Sequence, residues 1–276
     1  MAPSFPDIDL VTGLIRDVAS ELVLPKFRTL RRDEILPKPT AGHDDDVVTV
    51  VDRSVERRLT EELRALVPAA LVIGEEAAHA APSALRHVES DGAVWIIDPL
   101  DGTHNFTAGH DGFGIMVSYA VDGRVRAAWI HLPVREECFV AEAGAGTFLN
   151  GLRVRVESAA PPDPLSGTFF VRYMPPHIRA RVLDRVEGRF HDAPHAGAAA
   201  VEYTDVLRGR KDFVAYYRLL PWDHGAPALM LTEAGGHVEH LDGQPYTVRS
   251  ANQLTVAARD TATIARLREW LDGAEE

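Results

Sequence analysis

Two carboxylates stand three residues apart where an apolar run ends. The run covers residues 94–97, and the acids are Asp98 and Asp101, with Pro99 between them. Pro99 fixes one backbone angle, so the segment is a stiff turn in which both side chains can converge. Carboxylates held close together repel each other unless a cation lies between them. Hard oxygen ligands, with no cysteine or suitably spaced histidine nearby, favour Mg²⁺, Mn²⁺ or Ca²⁺ over Zn²⁺.

The next residues could bind an anion and orient a water molecule. Gly102 lets the backbone approach a ligand closely, and the N–H groups of a helix starting there would form an anion pocket. The Thr103 hydroxyl could orient an attacking water, and Asp52 could accept a hydrogen bond from that hydroxyl. Metal ions beside an anion pocket indicate a site that binds a phosphate group. The alternatives are an ordinary surface turn for residues 98–102 and helix N-capping for Asp52.

Two further acids follow apolar runs elsewhere in the chain. Glu75 comes after residues 71–73, and Asp223 leads into a helix expected over residues 226–234. Together with Asp98 and Asp101 they suffice for two or three divalent ions, the arrangement used in metal-assisted phosphoester hydrolysis. No Ser-His-Asp or Cys-His grouping stands out, so direct attack by water is favoured over a covalent intermediate.

Composition narrows the class of protein. The chain has 276 residues, 46% of them hydrophobic, and a net charge of −12. Because a general positive field is missing, nucleic acid and anionic membrane surfaces are not expected partners. The single cysteine, Cys138, rules out an intramolecular disulfide framework and fits a buried strand position in a cytoplasmic protein. We find neither a leader pattern nor an apolar run long enough to span a bilayer.

The periodicity predicts elements that position these acids. Helices are expected over residues 8–24, ended by Pro25, and after Asp52, and an antiparallel meander runs from 114 to 151. Residues 44–46 are interpreted as a solvated acidic turn, and residues 77–92 as an irregular connection. Linker composition over 158–167 divides the chain into halves, 1–157 with most metal ligands and 158–276 with Asp223 and the substrate contacts. The second half is expected to hold three strands, 168–173, 213–217 and 254–258, and four helices, 177–188, 197–207, 226–234 and 261–271.

Several of these segments resemble the signatures of one family. They are Gly74-Glu75-Glu76, residues 95–106, residues 143–151, and Trp222-Asp223 followed by residues 233–236. In order and spacing, over residues 38–258, they resemble the inositol monophosphatase family. The resemblance implies an α+β fold, a layered αβαβα sandwich of the sugar/inositol phosphatase type. It also implies Mg²⁺ dependence with lithium inhibition, and a homodimer.

The resemblance further implies roles for individual residues. The implied metal ligands are Glu75, Asp98, Asp101, Asp223 and the Leu100 carbonyl. Phosphate would meet Gly102 and Thr103. The implied catalytic groups are Thr103, Asp52 and Glu75, with Thr103 and Asp52 activating the water.

Departures from the family pattern bear on the substrate. The segment Gly197-Ala198-Ala199 has Ala198 where a Ser or Thr is usual, and Tyr216 replaces an acid that binds sugar hydroxyls. Arg218 places a cation in the same loop, which is acidic in those members of the family. His104 stands where small hydroxylated residues are common. A Tyr and an Arg could serve a ring, a carboxylate or a second phosphate better than a bare polyol. The alternative is that Arg218 faces solvent and His104 only lines the rim.

The sequence therefore predicts Mg²⁺-dependent hydrolysis of a small phosphorylated alcohol or sugar, with inositol 1-phosphate as the default substrate. Fructose 1,6-bisphosphate, 3′-phosphoadenosine nucleotides and histidinol phosphate are the rival substrates. A metal-binding or regulatory protein that keeps the fold without turnover is the alternative from another class.

Overall fold

The computed structural model describes residues 5–38, 45–157 and 161–275. Over these residues the helices are α1 (Ile8–Val18), α2 (Val50–Leu66), α3 (Glu75–Ala80), α4 (Thr103–Ala108), α5 (Pro176–Val186), α6 (Ala199–Leu207), α7 (Pro221–Glu233) and α8 (Thr261–Leu271). The strands are β1 (Ile35–Pro37), β2 (Val47–Thr49), β3 (Leu71–Gly74), β4 (Ala93–Asp101), β5 (Gly114–Val121), β6 (Arg124–Leu132), β7 (Glu137–Glu142), β8 (Gly146–Leu149), β9 (Leu152–Val154), β10 (Leu165–Phe169), β11 (Phe190–Asp192), β12 (Phe213–Tyr216), β13 (His237–His240) and β14 (Thr255–Ala258).

The strands of the described ranges form two large sheets and one small one. The larger sheet has seven strands in the order β3-β4-β5-β6-β7-β8-β9, in which only β3 and β4 run parallel. The second sheet has five strands in the order β11-β10-β12-β14-β13, with β10 parallel to both of its neighbours. Strands β1 and β2 form a separate antiparallel pair. The meander expected from residue 114 is thus confirmed.

The two sheets alternate with three helical layers. In β4, Trp95 and Ile97 face the core under α1 and α2, whereas Val94 and Ile96 face the opposite side, as a period of two requires. Helices α6 and α7 fill the space between the sheets, and α5 and α8 cover the outer face of the five-stranded sheet. The order of layers is αβαβα, so the expected α+β sandwich is confirmed.

Several boundaries differ from those expected. After α1 the chain continues as a π-helical turn, Ala19–Val23, and a 3₁₀ turn, Leu24–Lys26, because Pro25 lacks the N–H that an α-helix would use. The connection over residues 77–92 is not irregular: it contains most of α3 and a 3₁₀ helix, Pro82–Glu89. Helix α7 begins five residues before the predicted start at 226, with Pro221 in its first turn.

Other expectations concern single residues and the division of the chain. Cys138 is buried in β7, as expected. The proposed boundary begins at residues 158–160, which lie outside the described ranges, and the division into two halves stays a prediction. Likewise Asp44 of the acidic turn is outside these ranges. In the part of the chain that the structure describes, we find no helix with the length and hydrophobicity of a membrane span.

Candidate active site

Strand β4 ends in the turn that carries Asp98 and Asp101. Their pairing with β5 shifts register between the two acids, as expected where Pro99 lacks an N–H for the ladder. Gly102 then adopts a left-handed conformation, φ +84°, before α4 begins at Thr103. A Cβ at this glycine would lie 2.8 Å from both the Ala198 Cβ and the Gly112 carbonyl oxygen. Only glycine therefore allows the turn and the two neighbouring segments to meet this closely.

The turn also contacts α6, one of the helices between the two sheets. The Asp101 carboxylate accepts a hydrogen bond of 2.6 Å from the Ala200 N–H, in the first turn of α6. A carboxylate at a helix N-terminus satisfies free N–H groups and interacts well with the helix dipole. Asp223 is the third residue of α7, so its side chain also comes from the start of a helix. Elements distant in sequence thus bring their acids to one place.

A single cavity of about 860 Å³ receives nearly all the predicted site residues. Its lining includes the four acids and the residues expected to bind phosphate and substrate: Glu75, Asp98, Leu100, Asp101, Gly102, Thr103, His104, Gly197, Ala198, Ala199, Tyr216, Arg218 and Asp223. Asp52 does not line the cavity, but its carboxylate is hydrogen-bonded to Thr103, which does. The cavity's size is that of an ordinary small-molecule site.

Thr103 and Asp52 are linked as the sequence predicts. The Thr103 hydroxyl lies 3.1 Å from Asp52 Oδ1 and 3.0 Å from the Leu100 carbonyl oxygen. The backbone N–H and the hydroxyl of Thr49 donate to the other oxygen, Oδ2, of Asp52 at 2.8 and 2.5 Å. Asp52 is not the N-cap of α2. Thr49 is the cap, and Asp52 is the third helical residue and completes a capping box.

Burial shapes the electrostatics of the acids. Burial raises the pKa of Asp98 well above its ordinary value, and the nearby Glu75 and Asp101 carboxylates raise it further. Burial likewise raises the pKa of Asp101 to about 7 and that of Asp223 to about 8, with Glu75 adding to both. Arg218 opposes the shift at Asp223. These carboxylates are close enough to disfavour one another's charge, and a bound cation would relieve that repulsion.

Lys38 is a member of the site that the sequence analysis missed. Its ammonium group lies 2.7 Å from a Glu75 oxygen and 2.5 Å from a Glu76 oxygen. Burial alone would lower the pKa of Lys38, but the two carboxylates raise it above its ordinary value. A lone lysine between two prolines carries no spacing signal, so nothing in the sequence pointed to this contact.

The donor set fits a hard divalent cation. Asp98, Asp101 and Asp223 offer carboxylate oxygens, and none of them forms an ion pair with a lysine or arginine of the described residues. The Glu75 side chain is turned toward Lys38. With the side chains in these positions, the described residues contain no group of three His, Cys, Asp or Glu side chains arranged to hold a metal ion. Buried, mutually repelling oxygen ligands remain the chemistry that Mg²⁺ prefers.

Of the residues expected to contact substrate, Ala198 and Ala199 lie beside the turn of β4, and Tyr216 and Arg218 line another part of the cavity. Tyr216 is buried, and its ring stacks on Phe170 with centroids 4.4 Å apart. The Arg218 guanidinium carbon lies 3.4 Å from the centre of the Tyr173 ring. His104 is exposed at the rim, with Nε2 3.9 Å from an Asp46 oxygen. Asp46 also pairs with Arg172, so this residue of the expected solvated turn forms an ion pair.

Comparison with known structures first places the fold. The solved structure of a Thermotoga maritima IMPase has a TM-score of 0.76 and 26% sequence identity, and the match covers 96% of this chain and 98% of that one. The αβαβα architecture is therefore that of the inositol monophosphatases.

Comparison of sequences then places the chain in a family. A Thermotoga maritima protein named fructose-1,6-bisphosphatase/inositol-1-monophosphatase is 32% identical over 209 residues, 75% of this chain and 76% of that protein. Nus factor SuhB of Pseudomonas aeruginosa is 32% identical over 237 residues, 82% of each chain. The model of the inositol monophosphatase family matches residues 8–271. This chain belongs to the inositol monophosphatase family, as its signature segments indicated, and the membership makes it a phosphatase by class.

Proposed function

We propose that this protein hydrolyses a small phosphomonoester in a Mg²⁺-dependent reaction in which water attacks phosphorus directly. The observation that carries the proposal is that Asp98, which is buried, and Asp101 and Asp223, which are half-buried, line one cavity beside the Thr103–Asp52 pair. Buried anions without counter-cations are costly unless a bound cation neutralises them. A cavity that concentrates divalent cations is suited to a phosphate ester.

The chain's oxygens would hold two or three ions. The proposed ligands are the carboxylates of Glu75, Asp98, Asp101 and Asp223 and the carbonyl of Leu100. When bound, Mg²⁺ lowers the pKa of a coordinated water and neutralises charge on the leaving oxygen. Binding would require Glu75 to exchange its contact with Lys38 for the ion, and Glu75 would then help to activate the water.

Thr103 and Asp52 would position the water and take its proton. The Thr103 hydroxyl donates to Asp52 and can accept a hydrogen bond from the attacking water in return. Burial raises the pKa of Asp52 to about 7, which suits a group that accepts a proton near neutral pH. The two hydrogen bonds from Thr49 fix the carboxylate while Thr103 is held. Gly102 and Thr103, at the start of α4, would contact the phosphate.

The substrate we propose is a small phosphorylated alcohol or sugar, with inositol 1-phosphate as the reference compound. The name of the Thermotoga maritima relative supports sugar phosphates in general. We further propose lithium inhibition, a homodimer and a cytoplasmic location, by analogy with the family.

The test is phosphate release from a panel of phosphomonoesters, with and without Mg²⁺ and Li⁺. The panel contains inositol 1-phosphate, fructose 1,6-bisphosphate, adenosine 3′-monophosphate and histidinol phosphate. We expect release from at least one compound that depends on Mg²⁺ and falls when Li⁺ is added. Asp192→Asn, an exposed acid on β11 outside the cavity, serves as the control variant and should behave like the unchanged chain.

A second candidate is a regulatory protein without turnover. It is favoured by the 32% identity to a relative named as a Nus factor. Suppose that phosphate release from every compound in the panel is no faster than spontaneous hydrolysis, with or without Mg²⁺. That result would support this candidate and contradict the phosphatase proposal.

A further inference from the structure

The cavity has a second side, which we call the aromatic side: Phe170, Tyr173, Tyr216 and Arg218. It forms where two parallel strands end, since Phe169 of β10 lies opposite Ala215 of β12. The Phe170 N–H donates to the Ala215 carbonyl at 2.8 Å, which sets Phe170 beside Tyr216. Their rings are stacked at an interplanar angle of 6°. The carboxyl ends of parallel strands are a common place for ligands in sheets of this kind.

Arg218 is a cation whose close neighbour is a ring rather than an acid. Its guanidinium carbon lies 3.4 Å from the Tyr173 ring centre, its side chain is partly exposed, and it forms no ion pair with an acid of the described residues. A guanidinium centred over one ring is also suited to interact with a second ring from a ligand.

The backbone of Arg218 is fixed as well. Its carbonyl oxygen accepts from His224 Nε2 at 2.9 Å, and the other nitrogen of His224 faces the Tyr203 hydroxyl at 3.0 Å. Because the Arg218 carbonyl oxygen can only accept, His224 Nε2 carries the proton of this hydrogen bond. Arg218 is therefore held in place before any ligand binds.

The aromatic side has no carboxylate of its own for the hydroxyls of a polyol. Apart from the four proposed metal ligands, Asp46 is the remaining described carboxylate in the lining, and it pairs with Arg172. A further flat ring adjoins this side, since His195 packs edge-on against Phe170 with ring centres 4.9 Å apart. A flat ring entering here would gain stacking contacts that a polyol cannot make.

We infer that the alcohol half of the substrate carries a planar aromatic ring, which stacks on Arg218 at the aromatic side while the phosphate lies at the acids. The inference deepens the proposed function and rests on it. The ring could belong to a purine nucleoside or to an imidazole-bearing alcohol, since both present the same flat π-face. A cavity of about 860 Å³ accommodates either one together with its phosphate.

The experiment compares kcat/KM on the full chain with Mg²⁺ for esters with and without an aromatic ring. Adenosine 3′-monophosphate and histidinol phosphate carry an aromatic ring and are called the ring-bearing esters, whereas inositol 1-phosphate, glycerol 2-phosphate and fructose 1,6-bisphosphate have no aromatic ring. We expect one ring-bearing ester to exceed every ester without an aromatic ring at least about tenfold, the order of a cation–π contact shielded from water. Arg218→Gln should lower that ratio about tenfold, mainly through KM. Arg181→Gln, exposed on α5 outside the cavity, should leave the ratio unchanged.

The outcomes separate the two proposals. Metal-dependent release in which inositol 1-phosphate or fructose 1,6-bisphosphate matches the ring-bearing esters would overturn this inference and leave the proposed function intact. A ring preference that survives Arg218→Gln, in a variant that melts like the unchanged chain, would overturn the assignment to the aromatic side. Absence of metal-dependent release from every ester would overturn both.

Discussion

The cavity joins two sides that are built in different ways. The acidic side, Glu75, Asp98, Asp101 and Asp223, draws its groups from the ends of strands and the starts of helices, and two of the acids come from one turn of β4. The aromatic side depends on register between β10 and β12 and on loops that follow them. On the acidic side Glu75 pairs with Lys38, whereas Asp98, Asp101 and Asp223 form no ion pair with a lysine or arginine of the described residues. The aromatic side holds the Arg218 guanidinium against the Tyr173 ring.

This difference suggests a division of labour. Chemistry at the acidic side depends on charge and proton transfer, so substitutions there should change kcat or metal dependence. Recognition at the aromatic side depends on shape and stacking, so substitutions there should change the choice of ester.

The largest effect is expected from Thr103→Val, which keeps the shape of the side chain and removes its hydroxyl. Because the hydroxyl bonded to Asp52 is proposed to orient the water, kcat should fall about 10²- to 10⁴-fold for every substrate. Thr103→Ser, the matched control, keeps the hydroxyl and most of the rate. Steady-state kinetics measure both, and similar kcat values for the two variants would contradict the assigned role.

The metal-free protein should lose stability as pH rises from about 4 to about 8. The pKa of Asp223 is raised by burial from 3.8 to about 8, so over this window the folded chain keeps a proton that the unfolded chain releases. Binding more protons when folded makes the free energy of unfolding decrease with pH. Mg²⁺ removes the repulsion between ionised acids, so it should raise the melting temperature more at pH 8 than at pH 5. An equal rise at both pH values would argue against ions at these acids.

Gly102→Ala should destabilise the fold by about 2 kcal/mol more than Gly92→Ala, measured by urea unfolding. Both glycines have positive φ, +84° and +102°, so both substitutions carry backbone strain. A Cβ at Gly102 also meets the Gly112 oxygen and the Ala198 methyl group at 2.8 Å, whereas one at Gly92 meets nothing within 4 Å. Equal losses would show that the close approach at the turn is not needed.

The smallest effect is expected on the aromatic side. Tyr216→Phe removes a buried hydroxyl that has no partner, so the free energy of unfolding should change by less than about 0.5 kcal/mol or increase. Tyr203→Phe, in the parallel ring 5.5 Å away, removes a hydroxyl bonded to His224 and should cost about 1 kcal/mol. A larger loss for Tyr216→Phe would reveal a hydrogen bond made through water.

Much of the acidic side could be predicted from the sequence because its information is local. An apolar run, a proline and two acids within a few residues specify the end of β4, and the family signatures extend this to Glu75 and Asp223. The order of layers was implied by the resemblance to the family. Lys38 could not be predicted, because its contacts with Glu75 and Glu76 join the residue after β1 to the start of α3, which is distant in sequence.

The aromatic side was only partly predictable for a related reason. Tyr216 and Arg218 stood out as departures from the family pattern, but Phe170 and Tyr173 gave no signal. Strand β10 was expected over residues 168–173 and instead ends at Phe169, so the stack on Phe170 depends on strand register. Register and ring contacts are long-range properties that periodicity does not encode.

Direct binding of divalent cations tests whether the acids on β4 and α7 gather around such ions. Mn²⁺ titrated into the metal-free protein and followed by electron paramagnetic resonance counts bound ions without any turnover. We predict two or more ions per unchanged chain and at least one fewer in Asp98→Asn, with Asp192→Asn unaltered. Equal Mn²⁺ binding by the unchanged chain and Asp98→Asn, or no binding by either, would contradict this arrangement.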